Sequence, residues 1–180
     1  VILTAAGDHF VSGGDLKDLA SIPEPAQGRA MSLEMQAVLT RLERLPDPSF
    51  AAINGDAYGG GCELALACDV RIMKRGARLE FRQTAMGLTT GWGGGLRLLR
   101  LVGRARAILL ATTGLPVEAE EALSMGLVDR VVDDPRAEAR ALAERLRLRS
   151  RRAVVAMKRV LTVEAHIPPG EASEIETEAF

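Results

Sequence analysis

The residues able to do chemistry in this sequence are two glycine-rich turns and one carboxylate set in an apolar run. The first turn is Ser12-Gly13-Gly14-Asp15-Leu16 and the second is Gly59-Gly60-Gly61-Cys62-Glu63-Leu64. In the first, a coil from the opening strand turns into a helix; in the second, the strand from Phe50 to Asn54 leads into another. Each turn therefore sets backbone N–H groups at a helix start, where the unpaired donors and the helix dipole both point outward. Such groups hold an anion or a developing oxyanion, and glycine lets a ligand approach the main chain closely. Spacing alone leaves a second reading open for both, a tight strand-to-helix turn with no ligand. Neither turn fits the dinucleotide pattern GxGxxG, and Gly91-Trp92-Gly93-Gly94-Gly95-Leu96 fails it at Leu96. No phosphate loop occurs, and Ser12 does not complete the GxSxG of a hydrolase nucleophile elbow, since position 10 is Phe.

Glu63 stands one step into the apolar helical stretch Cys62-Glu-Leu-Ala-Leu-Ala-Cys68. Desolvation there raises a carboxyl pKa and makes the group competent for proton transfer near neutral pH. Asp69, which ends the run, reads better as a structural carboxylate tied to a neighbouring arginine or backbone amide. Cys62 and Cys68 are six residues apart on this helix, about 9 Å between Cα atoms, too far for a disulfide, so they read as reduced core residues. Histidine occurs only at positions 9 and 166, and no close Cys/His cluster exists on which a zinc site could be built. Neither a metal nor a bound cofactor is expected.

These turns need a scaffold, and 180 residues supply one domain, burying roughly 70% of its unfolded surface. Lys and Arg number 23 against 24 Asp and Glu, for a net charge of −1; nucleic acid and anionic membranes, which select a basic surplus, are not default partners. The longest uncharged stretch, the fourteen residues between Arg82 and Arg97, is glycine-rich and shorter than the roughly 18 apolar residues that span a bilayer. With reduced cysteines, a cytoplasmic or organelle-matrix setting fits. Aromatic residues are only 3% of the chain, so the core must be aliphatic and alanine-rich.

Short apolar strands alternate with helical patterns, an α/β architecture. Strands are expected at 1–5, 49–54, 69–73 and 127–132. Helices are expected at 93–102, 104–112 and 117–125, punctuated by Gly103, Gly114 and Gly126, and at 135–149 and 150–164. From Pro25 to Leu45 the apolar positions Met31, Met35, Val38, Leu42 and Leu45 step by four and three, which predicts one buried helical face. The arginines at 145, 147, 149, 151 and 152 read as a solvated helix face. Val1–Thr4 already reads as a buried strand, and Glu171–Phe180 as an amphipathic helix cut rather than capped, so the chain is expected to be a fragment of a longer domain.

Three segments in order carry a resemblance. They are Ala6-Gly-Asp-His-Phe-Val-Ser-Gly-Gly-Asp-Leu-Lys17; Ala51-Ala-Ile-Asn-Gly-Asp-Ala-Tyr-Gly-Gly-Gly-Cys-Glu-Leu-Ala-Leu-Ala-Cys-Asp69; and Gly91-Trp-Gly-Gly with Gly114-Leu-Pro-Val-Glu-Ala-Glu-Glu-Ala-Leu-Ser-Met-Gly-Leu-Val128. Together they resemble the enoyl-CoA hydratase/isomerase (crotonase) superfamily over nearly the whole chain. The resemblance implies a spiral of ββα repeats with C-terminal helices, acyl-CoA thioester substrates of fatty-acid and lipid metabolism, and homotrimers often paired into hexamers. It also implies a strand pair and helix before Val1 and a further helix after Phe180. Coenzyme A enters as part of the substrate, with contacts implied near Val11, Ser12 and Gly13.

By the family's motif the oxyanion hole falls on the N–H groups of Gly14 and Gly60, the turns singled out above. Glu63 resembles the first of two hydratase glutamates, which positions water and moves its proton. The second should lie twenty residues on, but that position is Gln83, in Phe81-Arg-Gln-Thr-Ala-Met-Gly87. An amide hydrogen-bonds but does not donate a proton to carbon as a carboxylic acid does. Hydration of a 2-enoyl-CoA needs base and acid work, so Gln83 argues for low hydratase activity or for Glu63 doing both jobs. Decarboxylation of a malonyl-CoA type thioester does not need the second acid, since loss of carbon dioxide itself generates the enolate. Phe81–Gly87 followed by Trp92-Gly93-Gly94 also resembles the ethylmalonyl-CoA decarboxylase members of the superfamily. The expectation is an acyl-CoA lyase of the hydratase/isomerase family, with decarboxylation of methylmalonyl-CoA or ethylmalonyl-CoA as the alternative, and a non-catalytic acyl-CoA-binding paralogue as the alternative of another class.

Overall fold

A computed structural model of the chain describes residues 1–20 and 24–164. Two four-stranded sheets organise it. The first runs β1 (Ile2–Leu3), β3 (Phe50–Ile53), β5 (Val70–Lys74), β8 (Arg130–Val132), all parallel. The second runs β2 (His9–Val11), β4 (Asp56–Tyr58), β6 (Arg78–Glu80), β7 (Val117–Glu118), with only β7 antiparallel. Three times the chain lays a strand in the first sheet, turns, lays a short strand in the second and enters a helical segment. After β2 come α1 (Leu16–Ala20) and α2 (Pro25–Glu43), and after β4 comes α3 (Gly60–Leu66); a 3-10 turn, Arg82–Met86, follows β6 and precedes α4 (Gly94–Thr113). Then α5 (Ala119–Ser124), α6 (Pro135–Arg147) and α7 (Arg151–Glu164) complete the described chain. This is the α/β spiral of ββα repeats expected.

Strand β3 shows why the sequence takes this form. Its Phe-Ala-Ala-Ile run is buried at every position, because both faces of the first sheet are covered. Phe50 and Ala52 pack with Ile72 and Ala139 beneath α6, while Ala51 and Ile53 enter the main core with Cys62, Leu66, Met73, Leu79, Phe81 and Leu98. Helix α6 begins after Asp134, whose carboxylate accepts the N–H groups of Arg136 and Ala137 at 3.0 Å each, with Pro135 at the first position.

Several expectations are corrected. The strands at 1–5, 49–54 and 127–132 exist, trimmed, and the one expected at 69–73 lies at Val70–Lys74; a whole second sheet adds to them, with strands of two or three residues, too short for any alternation to register. In consequence, each glycine turn follows a strand of the second sheet, β2 or β4, rather than the opening coil or the strand from Phe50. The helices at 93–102 and 104–112 meet in one element kinked at Gly103 (φ 76°, ψ 167°), and the expected helix at 117–125 gives its first residues to β7. On α2, Leu39 is fully buried and Val38 is 51% exposed, so the inward stripe runs Met35, Leu39, Leu42. Helix α6 stops at Arg147, short of the expected 149. The arginines at 145, 147, 149, 151 and 152 are all exposed. Both cysteines are free and buried. His166 and the expected helix at Glu171–Phe180 lie outside the described residues. No helix among the described residues is long and apolar enough to cross a membrane.

Candidate active site

The two glycine turns lie against each other. A Cβ placed on Gly13 (φ +100°) would stand 3.0 Å from the Gly60 nitrogen and 3.4 Å from the Tyr58 carbonyl oxygen, so only glycine suits both the backbone and the space. The Trp92 indole covers both turns: a Cβ on Gly60 would lie 2.4 Å from Trp92 Cζ3, and one on Gly14 would lie 3.6 Å from Cζ2. Among the described residues, the N–H groups of Gly14 and Gly60 donate to no protein acceptor, whereas the adjacent Gly59 N–H is taken by the Glu80 carbonyl at 2.8 Å. Val11 ends β2, and Ser12 is exposed between half-buried Val11 and Gly13.

Glu63, 2% exposed, points from α3 into a set of donors. Its Oε2 accepts the Gly94 N–H at 2.7 Å and the Trp92 N–H at 2.9 Å, while its Oε1 accepts Gln83 Nε2 at 3.0 Å. Gly94 is the first residue of α4, so the carboxylate caps that helix and meets the positive end of its dipole. Close approach requires glycine here, since a Cβ on Gly94 would fall 2.3 Å from Glu63 Cγ. Burial pushes the Glu63 carboxyl above its ordinary value; the Gly94 N–H, the Gln83 amide, the Trp92 N–H and the charge of Arg97 each pull it back part of the way. Gln83, 6% exposed in the 3-10 turn, spends its amide N–H on Glu63, and its Oε1 is buried with no partner among the described residues.

The loop carrying Trp92 is tied down by residues that the sequence did not single out. From α2, Ser32 Oγ and Gln36 Nε2 donate to the Gly91 carbonyl at 2.5 and 3.0 Å. From α4, Arg97, 9% exposed, donates to the Trp92 carbonyl at 2.8 Å and makes a two-pronged pair with Glu43 of α2 at 2.7 and 3.0 Å. One signal was available: Arg97 is the first charge after fourteen uncharged residues. Asp69 stands apart from this site. Its Oδ2 accepts Ser49 N at 2.7 Å, Ser49 Oγ at 2.8 Å and Lys158 Nζ at 2.6 Å, so it is tied to a backbone amide, one of the two partners expected, and its cation is a lysine. A cavity of about 810 Å³ between α2, α3 and α7, walled by Leu45, Leu66, Cys68 and Lys158 among others, is lined by none of the candidate site residues. Among the described residues, no three His, Cys, Asp or Glu side chains group as a metal ion requires.

The arrangement thus sets two free backbone donors under an indole, beside a buried carboxylate held by two amides and one side-chain amide. The family model described as enoyl-CoA hydratase/isomerase matches residues 1–180. An ethylmalonyl-CoA decarboxylase of Xenopus tropicalis is 44% identical over 132 residues, 73% of this chain and 44% of that protein. A short-chain-enoyl-CoA hydratase of Clostridium acetobutylicum is 43% identical over 134 residues, 74% of this chain and 51% of that protein. The chain therefore spans about half the length of these curated relatives. A crystal structure of an enoyl-CoA hydratase from Bacillus anthracis superposes with a TM-score of 0.94 at 37% identity, over 99% of this chain and 70% of that one.

Proposed function

The chain belongs to the enoyl-CoA hydratase/isomerase family, and from that premise we propose that it is an acyl-CoA lyase that holds a thioester enolate in a backbone oxyanion hole. The observation that carries this reading is the pair of unpartnered N–H groups at Gly14 and Gly60 on two turns in contact. A thioester oxygen accepting from both gains hydrogen bonds that strengthen as negative charge moves onto it, and one such donor is worth on the order of 3 kcal/mol in comparable sites. Val11, Ser12 and Gly13 supply the adjoining wall for the coenzyme A arm. Glu63 is the proton-handling group, and Gln83 sets the position of its Oε1. No cofactor is needed beyond the coenzyme A of the substrate.

One observation favours decarboxylation over hydration within this reading. The position that would hold a second acid is an amide already donating to Glu63, so the site has one carboxyl group rather than two. Loss of carbon dioxide leaves its electron pair on the enolate without that second acid. Similarity to proteins named ethylmalonyl-CoA decarboxylase supports the same choice. A homotrimer or hexamer belongs to the reading as well, since α4 leaves Leu96, Leu99, Ile108 and Leu109 exposed.

The test is an assay of the full-length protein against ethylmalonyl-CoA, methylmalonyl-CoA and crotonyl-CoA. Decarboxylation exceeding hydration is expected, and Gly14→Pro, which removes a donor N–H where an added Cβ meets only ordinary contacts, is expected to abolish it. Tight acyl-CoA binding with no turnover of any of the three would replace this reading with that of a non-catalytic acyl-CoA-binding paralogue.

A further inference from the structure

The unpaired oxygen of Gln83 is the one buried side-chain polar atom among the described residues that finds no partner. Its orientation is fixed by its neighbour. Ionised Glu63 has only acceptors to offer, and its Oε2 is filled by the Trp92 and Gly94 N–H groups, so Gln83 must turn its NH2 toward Glu63 Oε1 and its carbonyl oxygen away. In this orientation the atom left unpaired is an acceptor, and it belongs to the amide that is bonded to a negative charge. A ligand that donates a hydrogen bond is welcome there, and a carboxylate is repelled.

We propose that the Gln83 amide is a specificity-determining switch, turned over when Glu63 takes up a proton, so that the site admits a carboxylate-bearing thioester only together with that proton. This inference rests on the reading of the site as an acyl-CoA decarboxylase and adds how a negatively charged substrate enters beside Glu63. The proton goes to Oε1, because Oε2 keeps its two backbone donors. The new O–H then donates to Gln83 Oε1, which becomes satisfied. Rotation of the amide by half a turn brings the NH2 group round to face the substrate carboxylate. The orphaned acceptor and the like-charge conflict are removed by one rearrangement.

The stoichiometry agrees with the chemistry. In decarboxylation the bond between Cα and the carboxylate carbon breaks, its electron pair stays on the thioester as the enolate, carbon dioxide leaves, and Cα gains one proton. One proton taken up with each substrate is one proton consumed. Burial of Glu63 acts in the same direction by favouring its neutral form. The other buried charged or titratable groups of the packed elements are Arg97 on α4, held by Glu43 of α2, Glu80 on β6, held by Arg82, and the adjacent Cys62 thiol, which burial pushes up to about 12; Arg100, Arg104 and Arg106 of α4 are exposed.

The experiment is calorimetric titration of the full-length protein with two unreactive ligands, in buffers of differing ionisation enthalpy. One is 2-sulfonatopropionyl-CoA, whose sulfonate stays ionised and cannot leave as carbon dioxide; the other is butyryl-CoA, the neutral control. Expected is an uptake of about one proton for the sulfonate ligand beyond that for butyryl-CoA, with sulfonate affinity falling about tenfold per pH unit once Glu63 is ionised in the free protein. Gln83→Met, which keeps the length of the side chain but has no N–H, is expected to weaken the sulfonate ligand about tenfold and to leave butyryl-CoA within about twofold. Equal proton uptake for the two ligands, with both bound tightly by the wild type, overturns the switch and leaves the acyl-CoA site standing. Failure of both ligands to bind overturns the acyl-CoA reading itself, and the switch with it. The wild-type titration decides the matter even if the variant does not fold.

Discussion

Replacing Gly94 by alanine sets two effects of opposite sign against each other. Gly94 has ordinary helical backbone angles at the first position of α4, so helix propensity alone favours alanine by roughly 1 kcal/mol. The added Cβ, however, would sit 2.3 Å from Glu63 Cγ and 2.7 Å from Glu63 Oε2. That is more than an ångström inside ordinary contact, in a wall made of the Glu63 stem. The carboxylate has to retreat, and with it go the hydrogen bonds of 2.7 and 2.9 Å from Gly94 and Trp92. Hydrogen bonds to a charged group are worth about 1.5–3 kcal/mol each, so after the propensity gain the expected net loss of stability is about 2–5 kcal/mol. Activity should fall further than stability. Displacing a positioned acid/base group costs about a hundredfold in kcat, with KM changed only about twofold because the proposed thioester contacts are elsewhere. Urea unfolding and steady-state kinetics on the same preparation measure both. A Gly94→Ala protein as stable as wild type, with kcat within about threefold, would refute the placement of Glu63 under the α4 N-terminus as the organising feature of the site.

Three further outcomes are expected. Glu63 has its folded pKa raised above the ordinary 4.5, chiefly by burial, so the stability it contributes is full below pH 4.5 and is lost as pH rises through the folded value; the stability of wild type minus that of Glu63→Gln, measured by urea unfolding across pH 4–8, should fall with rising pH, and a flat difference would contradict the shift. Gln83→Glu restores a second carboxyl beside Glu63 and should raise crotonyl-CoA hydration at least about tenfold while lowering decarboxylation, as a spectrophotometric assay of both reactions reads directly. Arg97→Met leaves the half-buried Glu43 without its partner and releases the Trp92 carbonyl; a loss of about 3 kcal/mol in urea unfolding is expected, and no loss would mean that the clamp is idle.

The sequence displayed the parts of this site that are chemically odd and hid those that are merely well placed. Glu63 was legible because a carboxylate inside Cys-Glu-Leu-Ala-Leu-Ala-Cys has no reason to be apolar-facing unless something holds it. The glycine turns were legible as turns, but what Gly60 and Gly94 make room for was not, because Trp92 and the Glu63 stem arrive from distant parts of the chain. Gln83 was placed by resemblance, since an amide in a polar stretch carries no signal of its own. Arg97 and Glu43 lie 54 residues apart and each reads as an ordinary helical charge. The same contrast holds for the fold. Runs such as Phe50–Ile53, buried on both faces, announce themselves by composition, whereas β2, β4, β6 and β7 are held by pairing with partners that local sequence does not contain. On α2 a four-then-three spacing fits Val38 or Leu39, and only packing chooses Leu39.

If the Gly14 and Gly60 N–H groups polarise a thioester carbonyl, the carbonyl itself reports it. Butyryl-CoA labelled with carbon-13 at the carbonyl should show its stretching band at lower frequency when bound to the full-length protein than in water, because two preorganised donors draw charge onto the oxygen. Gly14→Pro, whose Cβ would meet only ordinary contacts at 3.5 Å and beyond, deletes one donor and should move the bound band back toward its position in water. A bound carbonyl with the frequency of the free thioester would contradict the oxyanion hole and, with it, the enolate chemistry proposed for this chain.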